Sequence, residues 1–218
     1  MTAWSERARR RLALLPVFIA VTVMTCWAVW QGSALMRADF ASMAARQKVE
    51  QWARAGRGWT APEWKSARSD LQAALQITPD DPVLHDALAQ LYVTQGIVGW
   101  ADPEQRAAYF EEALEHQQAS LKLRPGDGSA WANLAVSLWV LKRPLPDMQS
   151  AWLQASRYAP REWPVQQALV DLALATWDQA TPQMRLWVMR CWQEALPEQR
   201  AVMLANATRR GRAQVLQP

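Results

Sequence analysis

The sequence predicts an all-α protein, one N-terminal transmembrane helix followed by a stack of helical hairpins. Two observations carry that prediction. The first is an uncharged run from Leu12 to Met36, with Arg7, Arg9, Arg10 and Arg11 directly before it. The second is a unit that occurs three times: an apolar-faced helix ends at a proline, the chain turns, and a fresh apolar helix begins. Its prolines are Pro79, Pro125 and Pro160.

A helix of about 20 residues rising 1.5 Å each crosses about 30 Å of hydrocarbon, and the dense apolar part from Leu12 to Trp30 is long enough. Four arginines before it, against Arg37 offset by Asp39 after it, place the N-terminus in the cytoplasm by the positive-inside rule. The expected layout is a basic cytoplasmic start at 1–11, a transmembrane helix at 12–32 and an outward-facing remainder. Trp27 and Trp30 fall at the exit end, where amphipathic rings prefer the headgroup layer. A cleaved signal ending near Gly32-Ser33-Ala34 is the alternative; its apolar region would exceed the usual 7–15 residues, which favours an uncleaved anchor.

Residues 33–59 form a membrane-proximal helix and linker, with Met36, Phe40, Met43, Val49 and Trp52 as the larger apolar side chains of a helix that continues the anchor outward. The stretch "AGRG" breaks it. Thr60 with Glu63 three residues on makes a capping box for a helix from about 61 to 77. Leu71, Ala74, Leu75 and Ile77 share one face of that helix, and Thr78-Pro79 closes it, because the residue before a proline is pushed out of the α region. Asp81 and Pro82 then open the next helix, whose apolar stripe is Leu84, Leu88 and Leu91. The same grammar recurs across 60–180. Thr181-Pro182 and Pro197 start two capping helices over 181–208, and 209–218 is a basic tail with Arg209, Arg210 and Arg212.

The spacings between the closing prolines, 46 and 35 residues, bracket the tetratricopeptide period of about 34, the longer accommodating an insertion near "VTQGIVGWADPEQR". Over residues 60–180 the chain resembles tetratricopeptide repeats. Pro79, Pro125 and Pro160 match the closing proline; Ala74, Ser120 and Ala155 match the small residue of the second helix; Trp131, Leu134, Ala135 and Leu138 match the first helix. Leu88, Ala89 and Tyr92 do so in the preceding unit, while His85 replaces a tryptophan and Gln117 stands where a bulky apolar residue belongs. The layout of basic start, anchor, "WKSARSDLQAALQITPDDPVLHDALAQLY" and the Trp-rich "RLWVMRCWQEALPEQRAV" also resembles VpsP-type exopolysaccharide biosynthesis accessory proteins of bacteria. That resemblance implies a single-pass protein of the bacterial inner membrane, its C-terminal domain periplasmic, assisting a polysaccharide synthesis or export complex. Scaffolds for cytochrome c maturation, pilus or division complexes share such a layout.

Composition narrows the chemistry. From residue 12 onward there are 20 basic and 19 acidic residues, so no basic stripe exists for nucleic acid. Two cysteines, Cys26 and Cys191, make no disulfide framework, and His85 and His116, 31 residues apart, have no metal-ligand spacing. Phosphate-binding glycine loops and nucleophile motifs are absent. No catalysis and no cofactor are expected. The fourteen tryptophans read mainly as core filler, Trp59 and Trp100 being the best placed for exposed contact, and a direct carbohydrate-binding module is the competing class.

A chain of this kind works by holding something. In a tetratricopeptide-like stack the first helix of each unit lines the groove, so the partner-binding candidates are Asp86 and Gln90, Asn133 and Ser137, and Gln166 and Gln167. The partners expected are envelope or membrane proteins.

Overall fold

The computed structural model describes residues 3–56, 58–98 and 102–216, with side chains from residue 16 onward except those of residues 17, 34 and 35. Trp100 and the side chains of Arg7, Arg9, Arg10 and Arg11 lie outside the described residues. The described chain is helical, with no strand. Its helices are α1 (Ala3–Ala55), α2 (Ala61–Ile77), α3 (Pro82–Val98), α4 (Pro103–Leu123), α5 (Gly128–Val140), α6 (Leu145–Tyr158), α7 (Trp163–Ala175), α8 (Pro182–Glu194), α9 (Pro197–Arg209) and a short α10 (Ala213–Leu216).

The apolar run and the segment that follows it are one uninterrupted helix. At 1.5 Å per residue α1 is about 80 Å long, and it is long and apolar enough to cross a membrane. Phe18, Met24 and Trp27 stand exposed at 71%, 70% and 61%. The hydroxyls of Thr22 and Thr25 donate back to the carbonyls of Phe18 and Val21 at 2.9 and 2.8 Å, which satisfies both donors within the helix.

Past Arg37 the helix changes character. Ala38, Ser42, Ala45, Val49 and Trp52 recur at alternating steps of four and three residues and are buried, and this stripe packs α1 against α2 and α3. Three of its members are small, which lets the backbones approach. Gly56 and Gly58 end the helix with φ of +66° and +112°, values that favour glycine.

Local signals set the next boundaries. Thr60 and Glu63 form the reciprocal capping box, with Thr60 N–H donating to Glu63 Oε2 at 2.8 Å. Glu63 has its carboxyl held below the usual range by those hydrogen bonds from Thr60. Asp81 accepts from Val83 N–H at 2.8 Å, Asp127 from Ala130 N–H at 3.0 Å and Thr181 from Met184 N–H at 3.2 Å.

Packing is pairwise: α1 with α2, α3 with α4, α5 with α6. The second helix of each pair also touches the first helix of the next, and buried tryptophans tie them. Trp64 of α2 donates to Leu91 O at 3.4 Å, and Trp152 of α6 donates to Leu169 O at 2.9 Å. Two apolar cores result. One runs from Ala38 through Leu71, Leu88 and Tyr92 to Ala113. The other runs from Leu114 through Ala135, Trp152, Leu169 and Met184 to Leu216. Ala89, Ala135 and Ala155 are all buried.

The C-terminal segment folds back. Arg210 makes a bidentate pair with Asp171 of α7 at 2.8 and 2.6 Å, Arg212 pairs with Asp178, and Leu216 is fully buried. The residues read from the sequence as a basic tail are thus, up to Leu216, stitched to the body.

Candidate functional site

The first helices of the three leading pairs, α1, α3 and α5, enclose a groove of about 640 Å³. Asp86 and Gln90 reach it from α3, Asn133 from α5, and Arg46, Glu50 and Arg54 from α1. Three of the six candidate residues therefore share one cavity. The other three do not line it. Ser137, one turn beyond Asn133, is fully buried, because α5 is apolar on most of its circumference and turns that hydroxyl into the core. Gln166 donates to Pro160 O at 2.7 Å, and with Gln167 it lies on α7, a half-buried pair away from the groove.

The groove's charges are paired. Arg54 meets Glu50 one turn earlier, and Arg124 reaches Asp86 while lying 3.3 Å from Asp127. Desolvation pushes the Asp86 carboxyl up, outweighing the opposing pull of Ser120 and Arg124. Gln90 Nε2 donates to Thr94 Oγ1 at 3.2 Å, and its amide oxygen keeps acceptor capacity. Asn133 is exposed, and its side chain makes no hydrogen bond within the described chain. Both amides can pair with an extended peptide backbone, whose N–H and C=O groups need complementary partners.

Nothing in the sequence pointed to Arg46, Glu50 or Arg54 as groove residues. The available signal was positional, since each sits one or two residues beside the buried stripe Ala45, Val49 and Trp52. That stripe could be recognised only once the packing of α1 was known.

A second polar constellation bridges α3 and α4. His85 Nδ1 and His116 Nδ1 are 3.0 Å apart, and His85 Nε2 is 3.0 Å from Pro79 O. A carbonyl only accepts, so in the neutral pair His85 Nε2 donates, His85 Nδ1 accepts and His116 Nδ1 donates. The two rings thus bond to each other. Tyr92 stacks on His116 at 5.9 Å and 11°. Burial, then the neighbouring His85, pushes His116 down to about 4. Among the described residues, no three His, Cys, Asp or Glu side chains gather to hold a metal ion.

Trp64 and Trp152 are buried in the core, and Trp27 and Trp30 are exposed on α1. Trp59 is half-buried, donates to Gln95 Oε1 at 2.8 Å and lies 5.9 Å from Trp52. Trp131 is half-buried and donates to Pro125 O at 2.8 Å. No family model matches the chain, and no curated protein matches it either.

Proposed function

We propose that this chain is a noncatalytic, membrane-anchored adaptor whose helix pairs form a tetratricopeptide-like solenoid. Its groove holds an extended segment of an envelope protein. The observation that carries this reading is that one wall of the groove, Arg46 to Arg54, belongs to the same helix as the apolar run. A peptide bound there would sit on a rigid extension of the anchor, which raises its effective concentration beside integral membrane partners. The excess of arginine before the run supports a cytoplasmic N-terminus and a periplasmic body at the bacterial inner membrane. Resemblance to VpsP-type proteins supports an exopolysaccharide synthesis or export complex as the setting.

The test is in-cell crosslinking from a photoreactive residue at Asn133 or Gln90, with Gln167 on α7 as a control outside the groove. A discrete envelope protein captured from the first two positions and not from the third is the expected result. Equal capture from all three, or none, would remove the groove from the account.

A further inference from the structure

A second crevice, of about 470 Å³, opens between α6 and α8 and shares no residue with the groove. Its size lies within the roughly 300–1,000 Å³ typical of small-ligand pockets. Arg157, in the last turn of α6, and Arg190 of α8 both line it. Elsewhere in the body, Arg46, Arg54, Arg124, Arg143, Arg210 and Arg212 face carboxylates. Arg185 and Arg200 donate to backbone carbonyls while lying over Trp177 and Trp192. Arg157 and Arg190 have no hydrogen bond, ion pair or ring partner among the described residues, although Glu194 lies only one turn beyond Arg190. An anion in this concavity meets two guanidinium groups without a protein partner, and their planar forks bind carboxylates in bidentate fashion.

The rest of the lining says what kind. Gln154 is half-buried in the crevice wall, and its amide oxygen is out of contact with water and accepts no hydrogen bond. Rotation about its terminal torsion, which is broad, turns that oxygen toward a donor in the crevice. Gln183, in the first turn of α8, adds a second exposed amide. Trp187 contributes a half-buried indole, packed edge-on against Trp152 at 5.1 Å, with Leu153 beside it in the lining. A bare phosphate would use the arginines and leave the amides and the indole idle. A ligand with carboxylates, ring hydroxyls and an apolar C–H face uses all of them.

We propose that the α6–α8 crevice binds an acidic saccharide, its carboxylates on Arg157 and Arg190, its hydroxyls on Gln154 and Gln183, and its ring face toward Trp187. This goes beyond the adaptor reading and does not rest on it, since no groove residue takes part.

The experiment is titration calorimetry of the full-length chain in detergent micelles with an oligogalacturonate. Maltohexaose, a neutral glycan, and polyglutamate, an anion without rings, serve as comparison ligands. The expected result is saturable binding of oligogalacturonate, at least tenfold tighter than either comparison, and a tenfold or greater loss in the Arg157→Gln/Arg190→Gln double variant. Both arginines are exposed, so the fold survives their replacement; an unchanged thermal melt confirms it. Gln183→Ala should weaken oligogalacturonate binding and leave the weak polyglutamate binding unmoved. Absence of oligogalacturonate binding, equal binding of polyglutamate or maltohexaose, or undiminished affinity in the double variant would each overturn the proposal.

Discussion

Two imidazoles between α3 and α4 share a hydrogen bond, and burial of one of them makes the native state resist protonation. With His85 donating to Pro79 O, His116 Nδ1–H supplies the proton of the shared bond, and His116 Nε2 is the nitrogen left to take up another. Burial and then the neighbouring His85 push His116 down to about 4, whereas in an unfolded chain it titrates near 6.5. The unfolded state therefore takes up the proton first as pH falls. Its contribution to stability is intact above about 6.5, declines below that, and is fully lost near 4, with a slope of at most about 1.4 kcal/mol per pH unit. Asp86 works in the opposite sense, because its raised carboxyl lets the native state protonate first. A His116→Phe variant keeps a ring against Tyr92 and removes the titration, so its thermal stability in micelles should decline less between pH 6.5 and 4 than that of the parent. Equal declines would exclude His116 as the source. Residue-scale facts of this kind were only partly legible beforehand. The sequence marks Gln117 as a misfit for its repeat position, and it is 2% exposed with no partner for its amide. The meeting of His85 with His116 depends on the α3–α4 register, which no local pattern encodes.

At the scale of elements, legibility follows the range of the interactions that set a feature. Helix starts were readable because caps are local: Thr60 with Glu63, Asp81 with Pro82 and Thr181 with Pro182 each act within three residues. Which face of a helix is buried was readable where large apolar residues mark it, as with Met184, Val188 and Cys191 in α8. It was not readable in α1. There the large side chains Met36, Phe40 and Met43 are exposed, and the buried stripe begins with Ala38, Ser42 and Ala45. Size misleads in that segment because a close helix crossing selects small residues, while bulky ones remain on the open side. Ala45 is 2% exposed and Ala44 is exposed beside it. Replacing Ala45 with leucine should overpack the contact with α2 and α3 and cost on the order of 1–3 kcal/mol. The same change at Ala44 should stay within about 0.5 kcal/mol. Thermal melts of the two variants in one detergent decide the matter, and equal effects would mean that α1 does not pack by this stripe.

For the whole molecule, the decisive feature is that α1 belongs at once to the apolar segment and to the folded body. Its first part is exposed from Phe18 to Trp30, and its last part supplies Val49 and Trp52 to a core shared with Leu71, Leu88 and Tyr92. The sequence distinguishes these parts by composition and predicts that the helix of the first continues into the second; a single helix joins them. Two truncations separate the roles. A chain beginning at Arg37 lacks the uncharged run and retains the whole stripe from Ala38 to Trp52, the α1 wall of the groove and the Trp52–Trp59 contact. It should be soluble without detergent and strongly helical, and melt cooperatively. A chain beginning at Gly56 loses the cover over α2 and α3. Burial of a side chain such as Val49 contributes about 1.5–3 kcal/mol, and the newly exposed apolar faces would promote association. The shorter chain should therefore melt well below the longer one and scatter light on standing. Equal melting temperatures, with equal helicity by circular dichroism, would show that the end of α1 is a tether and no part of the body.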